Sequence, residues 1–554
     1  MDTTNISLND SFSQKSSLII HYKWLLYIGI LLIFIIIRAY AWSNVKVLED
    51  HDSAHYLSLI RTFQNFDLKE IWNLSPDDTF FYPVFETIFS LPGWSLEFSA
   101  RLCSFIFTIG TFFLIIAIGE KIASIKAVLV ALILFTFNPF FIPFSFGVLT
   151  EPSYLATLYL GIYIYLKKYK NPSIINAIVL GIIFALTFLN RTEGILFLVI
   201  IPVFQFVHYL FFKKKEYNFK KYLSWSLVYS ATFILLISPQ IYRVSDMLGT
   251  FALNGRQVWM AMLKNPDGKS YEEKKHGLDY SPKEVNIAYL ESHPEAYKKL
   301  ESSESISSIV SLFMAEVSKL SEYQLSTLLG AVILIFFGIG LYSLLYEQKT
   351  FELVIILLFI IIELVPPALH NVALRHISMV GPIMILIAGL GIVFIFNETI
   401  KQISNEKIFK LLKRLLLFFI LTFIISVSIT QIRSVIKNPT SNSDYSPEDY
   451  LKPIQIIKQD IKFHNIKDPI VVLRKFYFTY MAGLQELRIP FTNYKGLVNY
   501  CRLNSVDYLF LNYHDVESYP FLKEFKENNR PDFKLLYRSP SKVPEIELFK
   551  IITN

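Results

Sequence analysis

Apolar residues in this chain run in long blocks separated by short polar connections, the pattern of helices that have lipid as their solvent. Since about 20 residues are needed to cross roughly 30 Å of hydrocarbon, the blocks predict eleven spans. They lie near Trp24–Trp42, Ser99–Gly119, Ala127–Phe144, Tyr154–Leu166, Ile174–Leu189, Ile195–Phe212, Tyr222–Tyr242, Leu325–Leu345, Phe351–Leu369, Ile377–Phe396 and Leu411–Ile432. No cleavage pattern follows the first block, which reads as a retained anchor. Two long polar segments, 43–96 and 243–323, interrupt the series, and Ile306, Ile309, Leu312 and Phe313 give the second a helical stripe. From residue 438 the texture changes. Ile470–Leu473, Val506–Leu511 and Glu545–Ile551 read as strands, and Pro453–Lys462 and Gly496–Leu503 as helices. The expected architecture is an all-α polytopic membrane unit over 1–437, carrying amphipathic loop helices, followed by a small α/β soluble domain over 438–554.

Charge orients this arrangement. Lys121 to Lys126, Lys167, Lys168 and Lys170, Lys213 to Lys221, Lys349 and the Lys401 to Arg414 stretch fall in every second connection. The positive-inside rule then puts the amino terminus in the cytoplasm, and eleven spans carry the tail to the extracytoplasmic side of the cytoplasmic (inner) membrane. The composition agrees, with 53% hydrophobic and 16% aromatic residues. The formal charge of +7 is absorbed by these loop clusters, and no basic-aromatic module points to nucleic acid. Cys103 and Cys501 offer neither a disulfide framework nor a metal pair and read as small apolar fillers. Trp225 and Trp259 read as interfacial anchors.

Against this background the stretch Glu49-Asp50-His51-Asp52-Ser53-Ala54-His55-Tyr56 stands out. Carboxylates crowded at a membrane surface are costly unless they hold a cation, share a proton or react. Asp52, Arg101, Glu151, Arg191 with Glu193, and the His370 to His376 cluster containing Arg375 all fall at the outer ends of spans. A transport pathway needs polar residues through the bilayer's thickness instead. Arg38, within the last turn of its run, is expected to snorkel outward. His51, His55, His370 and His376 with Asp50 or Asp52 have the chemistry for zinc or manganese, but no ligand spacing supports a divalent metal, and none is assigned.

The order of these elements resembles a family. It consists of Asp52-Ser-Ala-His-Tyr56 after the first span, Tyr82-Pro83 before the second, Ala100-Arg101-Leu102 opening it, Leu149-Thr150-Glu151-Pro152 opening the fourth, Leu189-Asn190-Arg191-Thr192-Glu193-Gly194 between the fifth and sixth, and Arg375-His376 before a Gly-Pro-containing span. The chain is similar to the membrane glycosyltransferases of the C superfamily, in the group related to protein O-mannosyltransferases and the lipid A aminoarabinose transferase. The resemblance implies transfer of a sugar from a polyprenyl-phosphate donor to a protein, lipid or glycan acceptor on the outer face, with inversion and no nucleotide. It makes Asp52 the general base, Glu151 a catalytic residue that positions the acceptor, and Arg191, Arg101 and Arg375 the donor-phosphate ligands. Asp50, His55, Tyr82, Glu193 and His376 are accessory candidates.

Two positions depart from the pattern. Ser53 replaces a frequent glutamate, leaving Asp50 or Glu49 as the second carboxylate, and Phe81-Tyr82-Pro83 lacks a basic residue that relatives often carry there. The oligosaccharyltransferase branch, which uses a metal, implies a Trp-Trp-Asp-Tyr-Gly-type tail motif that is absent from this sequence. Two other classes fit the hydrophobicity: a transporter or flippase of lipid-linked sugars, and a noncatalytic envelope-assembly protein.

Overall fold

The computed structural model describes residues 6–44, 51–66, 68–72, 78–170, 172–212, 219–248, 251–253, 329–370, 377–401, 447–473, 477–489, 494–512, 530–539 and 546–552, with isolated positions at 415, 422 and 426. The described residues are mostly helical, with one small sheet. Each predicted span but the last coincides with a helix: α1 Ile6–Asn44, α5 Leu96–Ile122, α6 Ile125–Phe137 with the short α7 Phe141–Phe144, α8 Glu151–Lys168, α9 Ile174–Asn190, α10 Phe197–Phe212, α11 Phe219–Leu248, α12 Ala331–Tyr346, α13 Thr350–His370 and α14 Gly381–Lys401. Five of the described helices are long and apolar enough to cross a membrane. Leu411–Ile432, apart from those isolated positions, Trp259 and the helical stretch Ser305–Leu320 lie outside the described residues. Between α1 and α5 come α2 His51–Gln64, α3 Leu68–Trp72 and α4 Phe81–Ser90.

Local chemistry sets the helix ends. Ser95, Ser124 and Ser173 cap α5, α6 and α9 by accepting the N–H of Phe98, Ala127 and Asn176. In α8 the first turn holds Glu151 and Pro152 and the last turn Lys167 and Lys168, each complementing the helix dipole. Small residues bring the helices together, as expected where lipid removes the hydrophobic drive for association. A Cβ on Gly340 of α12 would stand 1.9 Å from the Ile387 carbonyl oxygen, and one on Gly391 of α14 2.0 Å from that of Phe336. Gly389 of α14 meets the Ala127 carbonyl of α6 in the same way, at 2.6 Å.

Two expectations are corrected. Arg38 does not snorkel; it is fully buried. Its Nε donates to Ser145 Oγ at 2.7 Å, and its Nη1 and Nη2 donate to the carbonyls of Thr136 and Phe135 at 3.1 and 3.4 Å. The guanidinium thus caps the carboxyl end of α6, where the dipole is negative, and lies over Phe34 at 3.5 Å. Trp225 is no interfacial anchor either: it is buried and stacks on Tyr229 with ring centroids 5.6 Å apart.

The tail is a three-layer unit. Its mixed sheet has the order β2-β1-β3-β5-β4, from β1 Ile470–Leu473, β2 Gln485–Arg488, β3 Tyr508–Asn512, β4 Phe533–Arg538 and β5 Ile546–Ile551. β1 runs parallel to β2 and β3, whereas β5 is antiparallel to β3 and β4. Helix α17 Tyr494–Leu503 covers one face, over Val472, Leu509 and Phe549. Helices α15 Pro447–His464 and α16 Tyr477–Ala482 cover the other, over Val471, Tyr508 and Phe510. The three predicted strands are the inner ones, largely buried on both faces. The two that sequence reading missed, β2 and β4, are the edges, whose polar residues mask any strand signal. Cys103 and Cys501 are both buried thiols.

Two outcomes follow from this packing. Gly391→Ala drives a methyl into the α12 backbone and is expected to cost about 1–3 kcal/mol. Gly338→Ala, with nothing within 4 Å of the added Cβ, is expected to be neutral. Thermal unfolding in detergent compares the two. In the tail, burial would raise the Asp460 carboxyl, but Lys550 Nζ and Tyr508 Oη, both hydrogen-bonded to Oδ2, hold it below the ordinary aspartate range. A depressed carboxylate stabilises the fold above its unfolded pKa of about 3.9 and loses that contribution as pH falls through the lower folded value. Hydrogen-exchange protection factors of the tail in the full chain, referred to the intrinsic rate at each pH, should therefore fall below pH 4 in the wild type and change less in Asp460→Asn, which is already weakened at pH 7.

Candidate functional site

The site is built around the end of α9. Asn190, its last residue, is buried and satisfies each side of its amide: Oδ1 accepts from Ser153 Oγ at 2.5 Å, and Nδ2 donates to the Leu186 carbonyl at 3.0 Å and to Thr157 Oγ1 at 3.4 Å. Its own carbonyl accepts from Thr79 Oγ1 at 2.9 Å. Arg191 then leaves the helix in an extended conformation, and a 3-10 turn, Thr192–Leu196, doubles back. Gly194 in that turn lies so close to α9 that a Cβ would meet the Phe188 nitrogen at 2.6 Å. That is the steric reason for glycine three residues after the arginine.

The turn aims Arg191 at two carboxylates. Nη1 donates to Glu151 Oε1 at 2.9 Å and Nη2 to Glu193 Oε1 at 3.2 Å, with side-chain exposures of 12% for Arg191, 4% for Glu151 and 23% for Glu193. Burial disfavours the charged guanidinium, but Glu193 and Glu151 together outweigh it and keep Arg191 protonated. The guanidinium lies 5.9 Å from the Tyr154 ring, and the Tyr154 hydroxyl reaches both oxygens of Glu363 on α13, at 2.9 and 3.1 Å.

A second arm reaches this cluster from α2. His55 Nε2 lies 2.6 Å from Asp78 Oδ1. The Asp78 carbonyl accepts from Gln240 Nε2 and Arg243 Nη2 of α11, each at 2.8 Å, and Arg243 also lies over Phe80 at 4.7 Å. Thr79, next in sequence, holds the Asn190 carbonyl. Two hydrogen-bonded steps thus connect α2 to the Arg191 turn. Asp52 lies in the first turn of α2, one turn before His55; its side chain is outside those described. Asp50, Arg375 and His376 also lie outside the described residues.

The structure therefore joins Glu151, Arg191 and Glu193 directly and His55 through a short relay. Tyr82 and Arg101 belong to the adjoining contact of α2, α4 and α5. There the Tyr82 hydroxyl is 2.9 Å from Ser104 Oγ and its ring meets Tyr56 edge-on, while Arg101 pairs with Glu97 at 2.8 Å. Val148, three residues before Glu151, packs in the same cluster as Leu57, Ile60 and Tyr82. Behind Tyr82, burial pushes the Glu86 carboxyl well above its ordinary range. Among the described residues, no three His, Cys, Asp or Glu side chains are placed to hold a metal ion.

Sequence reasoning missed Asp78, Tyr154, Gln240, Arg243 and Glu363. Glu363 was legible as an acid well inside the apolar run 351–369, beyond Glu352 at its start, since an ionisable residue at that depth marks a functional site by default. Gln240 and Arg243 act on the Asp78 backbone carbonyl and left no signal, and the partnership of Asp78 with His55 exists only in the folded chain.

Residues 79–242 match the family model of dolichyl-phosphate-mannose-protein mannosyltransferases. The matched segment runs from Thr79 to the residue before Arg243 and contains Arg101, Glu151, Arg191 and Glu193. AglB, the oligosaccharyltransferase of Archaeoglobus fulgidus, solved with an inhibitory peptide and a dolichol-phosphate, aligns with a TM-score of 0.59 at 13% identity, over 95% of this chain and 74% of that one. ArnT from Cupriavidus metallidurans, solved bound to undecaprenyl phosphate, aligns with a TM-score of 0.51 at 9% identity, over 96% of this chain and 98% of that one. The chain shares the fold of these two structures. The resemblance drawn from the ordered motifs thus holds for the whole architecture. No protein among the curated sequences matches in a direct comparison.

Removing the cation from the Glu151–Arg191–Glu193 cluster leaves two acids facing each other in a poorly solvated place. Arg191→Gln is expected to cost about 3 kcal/mol of stability, and Arg191→Gln with Glu151→Gln less than the sum of the single changes. Thermal melts of the four proteins check the coupling; additive losses contradict it.

Proposed function

We propose that this protein transfers a sugar from a polyprenyl-phosphate carrier to a protein, lipid or glycan acceptor at the extracytoplasmic face of the cytoplasmic membrane, with inversion at the anomeric carbon. The observation that carries the reading is the hydrogen-bonded path from α2, which bears Asp52, through Asp78-Thr79 and Asn190 to Arg191 and Glu151. It draws the acid-rich stretch after the first span and the motif-bearing ends of α8 and α9 into one neighbourhood. The family match over 79–242 and the shared fold support the same class of chemistry.

In this mechanism Asp52 accepts the acceptor's proton as the new bond forms between the acceptor oxygen or nitrogen and the anomeric carbon. The bond from that carbon to the phosphate oxygen breaks, and polyprenyl phosphate departs with the electron pair. Charge grows on the phosphate as the sugar becomes oxocarbenium-like, so cations fixed nearby lower the barrier. Arg191 has given two N–H groups to carboxylates and meets the phosphate with those that remain; Arg101 or Arg375 supplies the second positive charge. Glu151, held by Arg191, keeps an oxygen free to orient the acceptor. His55 and Glu193 fix these groups in place, and Tyr82 lines the approach. The residues 438–554 form an extracytoplasmic domain over the site. No bound metal enters any of these steps.

The test is a membrane assay with radiolabelled undecaprenyl-phosphate-linked sugars, following label lost from the lipid. Asp52→Asn is expected to lower turnover by at least about 100-fold with an unchanged melting temperature. Retained turnover removes Asp52 from the chemistry.

A further inference from the structure

Helix α2 is gripped from two sides. Toward the bundle, His55 meets Asp78, the Phe63 ring meets Phe80 at 5.7 Å, and Gln64 Nε2 donates to Ser90 Oγ at 2.7 Å. Toward the tail, a second stripe at i, i+4 and i+7 consists of Ala54, Ser58 and Arg61. Ala54 is fully buried in the core beneath α15 and α16, among Tyr450, Phe478 and Phe510. Ser58 Oγ lies 3.4 Å from Glu486 Oε1 on the edge strand β2, and the Thr479 hydroxyl of α16 holds the other oxygen of Glu486. The Arg61 guanidinium lies 4.8 Å over the Tyr480 ring. Tyr480 also packs onto the cluster of Leu57 and Tyr82 and senses the charges of both Arg61 and Glu97.

A 14-residue helix is marginal by itself in water, so tertiary contacts decide where α2 sits. Part of those contacts comes from a domain nearly 430 residues away, the Ser58–Glu486 pair being separated by 428. We propose that the sheet domain is a positioning device for α2. Through Arg61–Tyr480 and Ser58–Glu486 it sets the angle at which the first turn presents Asp52 to the Arg191–Glu151 cluster. Ser58 and Arg61 lie roughly 9 and 13 Å past Asp52 along the helix axis, so they act through the helix and not on substrate. Displacing a reacting group by about 1 Å can cost about 100-fold in rate, which makes a rigid seat for α2 a determinant of turnover. This inference rests on the assignment of Asp52 above.

The experiment uses the full chain in nanodiscs, comparing wild type with Arg61→Gln/Tyr480→Leu. Hydrogen exchange over residues 51–64 reads the seat of α2. Steady-state transfer from undecaprenyl-phosphate-linked hexose and pentose donors reads kcat and KM, and binding of undecaprenyl phosphate alone reads the donor site. The double variant is expected to exchange about tenfold faster over 51–64 and to lose about tenfold in kcat, with KM and undecaprenyl-phosphate affinity within about twofold. Tyr480→Phe, which keeps the ring, restores both. Tyr494→Phe removes a tail hydrogen bond to Asp532 remote from α2 and should leave both unchanged. Unaltered exchange in the double variant overturns the proposal, as does faster exchange with wild-type kcat. Absence of transfer by the wild type overturns the assigned reaction instead, and the exchange result then decides the seat of α2 alone.

Discussion

One amide side chain, that of Asn190, fixes the polar end of the molecule. Where water is scarce, each donor and acceptor left unmatched costs several kcal/mol, so a residue that joins four partners leaves little freedom to any of them. Ser153 and Thr157 tie Asn190 to α8, the Leu186 carbonyl to its own helix, and Thr79 to the segment leading into α4. Arg191 follows directly and inherits that rigidity. Its reach to Glu151 and Glu193 is therefore set by neutral hydrogen bonds rather than by the ion pairs alone.

How much of this was legible depended on where each residue's energy comes from. Membrane helices write themselves into the chain as runs of apolar residues, and the observed helices follow those runs. Inner strands β1, β3 and β5 are largely buried on both faces and mostly apolar, and were readable, whereas β2, Gln485–Arg488, and β4, Phe533–Arg538, are half solvated and were not. Within the site, Glu151, Arg191 and Glu193 were found from the ordered motifs, and the structure brings those three together. Gln240 had no signature because it works through the Asp78 backbone carbonyl, and Asp78 had none because its carboxylate meets His55 only once tertiary folding brings them together. Arg38 was misread because span-end arginines usually reach water; here the open carbonyls of α6 offered a nearer partner.

Charged residues separate to the two ends of the bundle. Arg101, Glu151, Arg191, Glu193, Asp78 and Arg243 gather at the end where the sheet domain docks on α2. At the other end Tyr27 and Lys23 meet Glu120, Tyr169 meets Glu352, and Lys349 donates to the carbonyl of Ile122. Between them the apolar core is continuous, from Phe34 and Phe112 through Phe184 to Ile387. Glu363 and Tyr154 extend the polar end inward by about one helical turn.

The burial of Arg38 has a consequence for how the chain is made. Helix α1 is synthesised before α6 and α7, yet its guanidinium finds its acceptors at Phe135, Thr136 and Ser145, 97, 98 and 107 residues later. Until α6 and α7 emerge, that cation is stranded at the edge of hydrocarbon, and α1 has every reason to stay shallow. Contacts that exist only once α6 and α7 are made thus help to fix the final depth and rotation of α1.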